Sequence, residues 1–272
     1  MNETKQKTSG SALRQDIAFN AEGVTLRGWL YADSDAPGPA VVMAPGFASV
    51  KKGVCERYAE VFAAAGLRVL LFDNRNFGDS DGAPRQEADP IQQVRDYRHA
   101  ITYAGSCPQI DKDRIGVWGS SYSGGHAIVV AAIDRRVKCV VSSVPTISGW
   151  EGSRRRIHPN AYELLAAQFD ADREARFAGE PPGMIAIVSK DPAVPAILPG
   201  EEAWEALLGE NALGRETWVN AATVRSSEMA IEYDPGHYID RISPTPLLMI
   251  VASHDTQVPS DLALRFGVNS SG

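Results

Sequence analysis

Residues 115–126 read IGVWGSSYSGGH, an apolar run that passes directly into small residues and then into a helical pattern. This order is typical of a strand that turns sharply into a helix and exposes a serine hydroxyl at the turn, the nucleophile elbow. The turn tolerates only small residues two positions before and two positions after the serine. Ser121 meets this condition with Gly119 and Ser123, whereas a turn centred on Ser120 would place two aromatic residues there. The pattern therefore predicts Ser121 as a catalytic nucleophile.

Two alternatives to a catalytic Ser121 remain open. Ser123 is flanked by Ser121 and Gly125, but it lies one turn too far from the strand. A Gly- and Ser-rich turn without any chemistry also fits, because short G-x-S-x-G strings are common and here the final Gly is replaced by Ser123. The position of the string between a strand and a helix favours the catalytic interpretation.

Strands and helices alternate on both sides of this turn. A hairpin is predicted for residues 17–31, around a turn at 21–23. Apolar runs then predict strands at 40–43, 69–72, 115–118, 137–144 and 246–251, and amphipathic patterns predict helices at 58–65, 90–104 and 122–133. This alternation implies βαβ crossovers and therefore a mostly parallel sheet covered by helices on both faces. The fold class is α/β.

The alternation stops near Trp150 and resumes with the strand pattern at 246–251. Between them lie charged, Ala-rich helical patterns separated by Pro and Gly. We therefore predict a core part at 1–149, a helical lid insertion at 150–233 and a second core part at 234–272. One strand-type run inside the insertion, at 184–188, stays ambiguous.

Composition excludes several classes of partner. The 272 residues carry a net charge of −7, and no Lys/Arg run is longer than the three arginines at 154–156. This balance argues against nucleic-acid and membrane partners. The three cysteines are far apart, so neither a disulfide framework nor a zinc site is expected, and no cofactor or metal is predicted. Because no run reaches the roughly 18 apolar residues of a membrane helix, a cytoplasmic protein is expected.

From residue 16 to residue 265 the chain resembles the α/β-hydrolase superfamily. Besides the elbow, the likeness rests on MAPGF at 43–47, FDNRNFGDS at 72–80 and ASHD at 252–255. Within the superfamily the chain is similar to the fungal polyketide transferases and thioesterase-like proteins of secondary-metabolite clusters. That closer likeness rests on GDSDGAPRQE at 78–87, SYSGGH at 121–126 and PTPLLM at 244–249.

The resemblance implies a role for several residues. The backbone N–H groups of Phe47 and Tyr122 would form the oxyanion hole, and Asp255 would be the acid that orients a histidine. A helix cap is the alternative role for Asp255, because a helical pattern follows it. Where relatives often have Gly after Arg75, this chain has Asn76, which tolerates a positive φ better than most other residues.

A catalytic histidine is the missing part of this pattern. The resemblance places it after Asp255, whereas no histidine follows His254. The five histidines present are His99, His126, His158, His237 and His254, and we interpret them as structural. His158, His237 and His254 stay open as alternative bases. We also expect the last strand and helix of the fold to be missing from this chain.

The residues and the resemblance together imply a serine-dependent acyl-transfer enzyme. It would be a thioesterase or esterase, or a polyketide acyltransferase, acting on a small ester or thioester in secondary-metabolite or toxin biosynthesis. The alternative is a catalytically degenerate homologue that acts as a binding protein. A homodimer is left open. A dinucleotide-binding protein is excluded, because the glycines at 119–125 do not follow the first strand.

Overall fold

A large mixed sheet forms the centre of the computed structural model, which describes residues 6–7, 13–157, 159–191, 194–210, 212–214, 217–255 and 257–269. In chain order the strands are β1 (Gln6–Lys7), β2 (Leu13–Ala21), β3 (Val24–Ala32), β4 (Gly38–Met43), β5 (Arg68–Phe72), β6 (Ile110–Ser120), β7 (Val137–Ser143), β8 (Met184–Ser189), β9 (Ala196–Pro199), β10 (Ala222–Thr223) and β11 (Leu247–Ile250). The helices are α1 (Val54–Ala64), α2 (Pro90–Ser106), α3 (Tyr122–Ile133), α4 (Gly149–Arg156), α5 (Pro159–Phe177), α6 (Glu201–Leu208), α7 (Val224–Glu232) and α8 (Ser260–Asn269), and residues Pro235–Arg241 form a 3₁₀ helix.

The strand order in the large sheet is β1-β2-β3-β5-β4-β6-β7-β11. From β5 to β11 all neighbours pair in parallel, which confirms the predicted α/β class. All residues of β5 are buried, as expected for a strand with helices over both faces. Helix α2 begins where the sequence predicts, because Pro90 follows Asp89, whose carboxylate accepts the backbone N–H groups of Ile91 and Gln92.

The predicted hairpin is formed by β2 and β3. Its two turn residues, Glu22 and Gly23, have φ of 54° and 87°. Positive φ at both positions is the conformation that matches the twist of the flanking strands. The hairpin extends the parallel strands with an antiparallel end.

The segment 150–233 is not wholly helical. It contains a small sheet with the order β10-β8-β9, in which the run at 184–188 becomes β8. The side-chain amide of Asn220 supports β8, because it accepts the N–H groups of Ile187 and Val188 and donates to the Val188 carbonyl. The boundaries of the proposed lid remain a prediction.

The small sheet packs against the loops that follow β4 and β5. Ile187 and Ala222 share a buried cluster with Ala48 and Phe77, and the Trp218 Nε1–H donates to the Ala48 carbonyl at 2.8 Å. The insertion therefore lies over the carboxyl ends of the parallel strands, where open α/β sheets hold their sites. In the large sheet, β11 is an edge strand, and its residues Leu248 and Ile250 are about half exposed.

Within the described residues, no helix combines the length and the apolar character that a membrane crossing requires.

Candidate active site

Ser121 occupies a strained turn between β6 and α3. Its φ is 59° and its ψ is −120°, a combination that non-Gly residues seldom adopt. The turn is held by its own backbone, because the Ser121 N–H donates to the Ser143 carbonyl and its carbonyl accepts the N–H groups of Gly125 and Thr146. The Ser121 hydroxyl does not cap the helix, and the residue is half-buried at the helix N-terminus. A serine in this position presents its hydroxyl to a bound substrate.

The residues on either side of the turn are as small as the geometry demands. A Cβ on Gly119 would lie 2.0 Å from the Ser123 carbonyl oxygen, so only glycine fits there. Ser123 is fully buried, and its hydroxyl donates to the Ser120 carbonyl and accepts the Ser120 N–H, both at 2.9 Å. The serine that replaces the usual Gly therefore braces the turn. This engagement leaves Ser121, and not Ser123, as the candidate nucleophile.

The loop after β4 lies directly against this turn. A Cβ on Gly46 would be 3.2 Å from the Ser120 carbonyl oxygen, 3.5 Å from the Ser121 Cβ and 3.8 Å from the Tyr122 nitrogen. The rings of Phe47 and Tyr122 meet edge to face with centroids 5.2 Å apart. The structure thus brings together Ser121, Phe47 and Tyr122. Their roles in an oxyanion hole remain a prediction.

Buried side chains fix the position of this loop. The fully buried Tyr97 hydroxyl accepts the Ala44 N–H at 2.8 Å and lies 3.1 Å from the Trp118 carbonyl oxygen, to which it can donate, so it joins the ends of β4 and β6. The Asp73 carboxylate accepts the backbone N–H and the ammonium group of Lys51, at 2.6 and 2.5 Å. Burial raises the pKa of Asp73, and the Lys51 charge opposes that rise. These contacts fix the backbone of the loop after β4, which lies against the Ser121 turn.

Asp255 lies in the loop after β11, where the resemblance places the acid. Its Oδ1 accepts the N–H groups of Gln257 and Val258, at 2.8 and 2.7 Å. Such bonds are those of a turn or cap, and they leave the second oxygen for another partner. Gln257 and Val258 line a cavity with Ser121. The loop of Asp255 therefore reaches the elbow, and its role as the acid remains a prediction.

That cavity has a volume of about 80 Å³ and lies between the elbow and the insertion. Ile197 and Leu198 of β9 contribute one wall, and Arg156 at the end of α4 contributes another. Arg156 and Gln257 were not predicted as site residues. The arginine run at 154–156 is a charge pattern in the sequence, and nothing in it distinguishes the one side chain that turns inward.

His126 is buried behind the elbow. Its Nδ1 lies 3.0 Å from the Tyr233 hydroxyl and its Nε2 lies 2.9 Å from the Gln93 Oε1. Burial lowers the pKa of His126 to about 3, so the ring is neutral at neutral pH. With both nitrogens occupied, His126 is a structural residue, as expected.

The other histidines are accounted for as follows. His99 lies 3.6 Å from Glu22, His237 packs against the ring of Phe266, and His254 bonds to Ser253. His237 and His254 are exposed. His158 lies outside the described residues. None of the described histidines lines the cavity that contains Ser121.

We expect replacement of His126 to change how stability depends on pH. In the unfolded chain His126 binds a proton below about pH 6.5, whereas in the native state it stays neutral down to about pH 3. The unfolded state therefore gains relative stability as pH falls through this range. Between pH 7 and pH 5 the loss of native stability is about 2 kcal/mol from this residue.

The measurement is denaturant unfolding of the wild type and His126→Gln at pH 7, 6 and 5. The wild type should lose about 2 kcal/mol more than the variant over this range. Other titrating groups, such as Asp73, are common to both proteins and cancel in the comparison. Parallel pH profiles would show that His126 is not buried as a neutral ring.

Among the residues that the structure describes, no group of three or more histidine, cysteine, aspartate or glutamate side chains could hold a metal ion.

Comparisons with known proteins identify the family of the chain. A family model described as alpha/beta hydrolase fold matches residues 39–267. A thiohydrolase from Eupenicillium brefeldianum is 32% identical over 254 residues, which cover 92% of this chain and 80% of that protein. A polyketide transferase from Aspergillus fumigatus is 34% identical over 244 residues, which cover 89% and 80% of the two chains.

Solved structures give the same result. DcsB in complex with its substrate analogue is 27% identical and superposes with a TM-score of 0.81, over 94% of this chain and 85% of that one. The resemblance to polyketide transferases and thioesterase-like proteins is confirmed by the named relatives. The chain belongs to the α/β-hydrolase fold family.

Proposed function

We propose that this chain is a serine-dependent acyl-transfer enzyme. The observation that carries the proposal is Ser121 itself, held at a φ of 59° at the N-terminus of α3 with the Gly46 loop against it. In the first step the Ser121 oxygen attacks the carbonyl carbon of an ester or thioester, and its proton passes to a base. The negative charge that develops on the carbonyl oxygen is stabilised by the N–H groups of Phe47 and Tyr122 and by the helix N-terminus.

Collapse of this intermediate expels the alcohol or thiol with the proton and leaves an acyl group on Ser121. Attack by water then releases an acid, and attack by an alcohol or amine releases an ester or amide. The named relatives include a thiohydrolase and a polyketide transferase, which correspond to these two outcomes. We place this chain in secondary-metabolite or toxin biosynthesis on that similarity, with the segment 150–233 as the lid that admits water or an acceptor.

The general base is the part of this mechanism that the described residues do not supply. Asp255 would orient a histidine and stabilise its charged form. However, the described histidines have partners away from the cavity or are exposed at the surface. This observation favours a second candidate function, that of a binding protein which keeps the pocket without catalysis.

Labelling with a fluorophosphonate distinguishes the two functions. We expect intact-mass spectrometry to show one adduct on the chain and none on Ser121→Ala, because the probe reacts with activated serines and imitates the tetrahedral intermediate. Ser106→Ala is the matched control, since Ser106 is exposed at the end of α2 and its hydroxyl donates to the Tyr103 carbonyl. A cooperatively folded chain that forms no adduct would contradict the enzyme proposal and support the binding protein. The cytoplasmic location and the homodimer stay predictions.

A further inference from the structure

Arg156 is half-buried and contributes a cationic side chain to the lining of the cavity that contains Ser121. Its Nη1 donates to the Gln257 carbonyl at 2.6 Å, which fixes the guanidinium. Its Nε is buried and has no hydrogen-bond partner among the described residues. Buried donors in native proteins are nearly always bonded, so this N–H calls for a partner.

The neighbouring arginines on the same helix show what is unusual about Arg156. Arg155 is exposed and pairs with Asp261 at 2.6 Å. Arg154 is also exposed, with its guanidinium 5.2 Å from the centre of the Trp150 ring. Both side chains therefore lie at the surface. Arg156 is the less exposed arginine: burial lowers the pKa of its guanidinium, and the charge of the nearby Asp255 opposes that shift.

A second residue that lines the same cavity also carries an unbonded polar atom. The Oε1 of Gln257 is buried without a partner among the described residues. Both residues that line the cavity on this side thus carry one buried polar atom without a partner among the described residues, a donor on Arg156 and an acceptor on Gln257. A hydroxyl group satisfies both atoms at once, because its oxygen accepts from the arginine and its proton is donated to the amide oxygen.

Other oxygen groups fit this pair less well. A ketone oxygen can accept from Arg156 but has nothing to donate to Gln257. A carboxylate oxygen would face the lone pairs of the Gln257 Oε1. Because the cavity is only about 80 Å³, the matching oxygen must lie within a few bonds of the carbonyl carbon at Ser121.

We propose that Arg156 and Gln257 form a subsite for a hydroxyl or enol oxygen on the acyl group, close to the carbonyl that Ser121 attacks. The inference rests on the proposed function, because it takes the position of that carbonyl from Ser121. It assigns the substrate to the hydroxyacyl or enolised acyl thioesters. Arg156 and Gln257 act as specificity residues and take no part in bond making or breaking.

The test measures binding in Ser121→Ala, so that no ligand is consumed. Two ligands differ by one oxygen: the 3-hydroxybutyryl and the butyryl thioester of N-acetylcysteamine. Isothermal titration should show the hydroxylated ligand binding about tenfold tighter, the effect of a hydrogen bond to a charged group. Arg156→Gln and Gln257→Leu, each added to Ser121→Ala, should bring the two affinities to within about twofold of each other.

Controls separate recognition from folding. Arg156→Gln also removes the bond to the Gln257 carbonyl, whereas Gln257→Leu leaves that backbone contact in place, so the two variants together exclude a simple loss of loop structure. Arg154 lies on the same helix and is exposed, so Arg154→Gln, added to Ser121→Ala, should keep the tenfold preference for the hydroxylated ligand. Thermal unfolding of every variant confirms the fold.

Two results would overturn the subsite: equal affinities of the two ligands for Ser121→Ala, or no measurable binding of either ligand. The failure of the proposed function is a separate result. If the hydroxylated ligand binds more tightly but the chain is not labelled by the fluorophosphonate, the subsite stands and Ser121 is rejected as the nucleophile. If the chain is labelled but the two ligands bind equally, Ser121 stands as the nucleophile and the subsite is rejected.

Discussion

Gly119→Ala is expected to destabilise the native state by about 4 kcal/mol or more, the range of the most damaging single substitutions. The added Cβ would lie 2.0 Å from the carbonyl oxygen and 2.3 Å from the carbonyl carbon of Ser123. Both are backbone atoms of the turn, so no side-chain rotation can relieve the overlap. The turn cannot open either, because Ser123 bonds to both backbone groups of Ser120. A loss of this size approaches the whole stability of many domains.

Denaturant unfolding followed by circular dichroism measures this effect. Gly105→Ala is the matched control: its Cβ would meet only the Lys112 Cβ at 3.6 Å, an ordinary contact. Gly105 lies in α2, so this change should leave stability unaltered or raise it by up to about 1 kcal/mol. Equal unfolding midpoints for the Gly119 and Gly105 variants would show that the turn between β6 and α3 is more open than the structure has it.

Gly46→Ala is expected to slow labelling of Ser121 by a fluorophosphonate about 100-fold while the protein stays folded. The added methyl group would stand 3.5 Å from the Ser121 Cβ and 3.8 Å from the nitrogen of Tyr122, one of the two proposed oxyanion donors. Its tightest contact, 3.2 Å to the Ser120 carbonyl oxygen, requires a shift of only a few tenths of an ångström. Loss of one oxyanion donor costs roughly 100- to 1000-fold in rate. A small displacement of the loop after β4 is therefore enough to slow labelling while the protein stays folded.

The rate of adduct formation is followed by intact mass over time, with Gly105→Ala again as the control. Thermal unfolding should give the Gly46 variant a transition close to that of the wild type. If the variant folds and labels at the rate of the wild type, the loop after β4 does not supply an oxyanion donor. Failure of both proteins to label would reject the nucleophile and not the loop.

The elements that sequence reasoning placed well carry strong local signals. The predicted helix at 122–133 is confirmed at both ends as α3, and α2 is confirmed from its Pro90 start. Asn76, which replaces a glycine of many relatives, has the positive φ of 71° that its side chain tolerates. In each case the residues that set the conformation are neighbours in the chain.

The elements whose bounds the sequence predicts too short, or whose type it leaves ambiguous, lack that local signal. Strand β6 begins at Ile110, well before the predicted residue 115, because polar residues at 111–114 interrupt the apolar pattern. Helix α1 begins at Val54, where the Glu56 side chain accepts the Gly53 N–H. The small sheet depends on pairing between β8 and β10, more than 30 residues apart, and on the Asn220 side chain.

Some residues of the candidate site can be predicted from local sequence, and others cannot. The turn at Ser121 is determined by residues adjacent in the chain, because its geometry requires small residues at Gly119 and Ser123. The partners of the site come from distant parts of the chain: Phe47 from the loop after β4, Arg156 from the end of α4 and Gln257 from the loop after β11. Nothing in the arginine run at 154–156 distinguishes the half-buried Arg156 from the two exposed arginines, because its partial burial results from packing between segments about 100 residues apart. Local sterics thus place the nucleophile, whereas the pocket around it exists only once long-range packing has joined the segments.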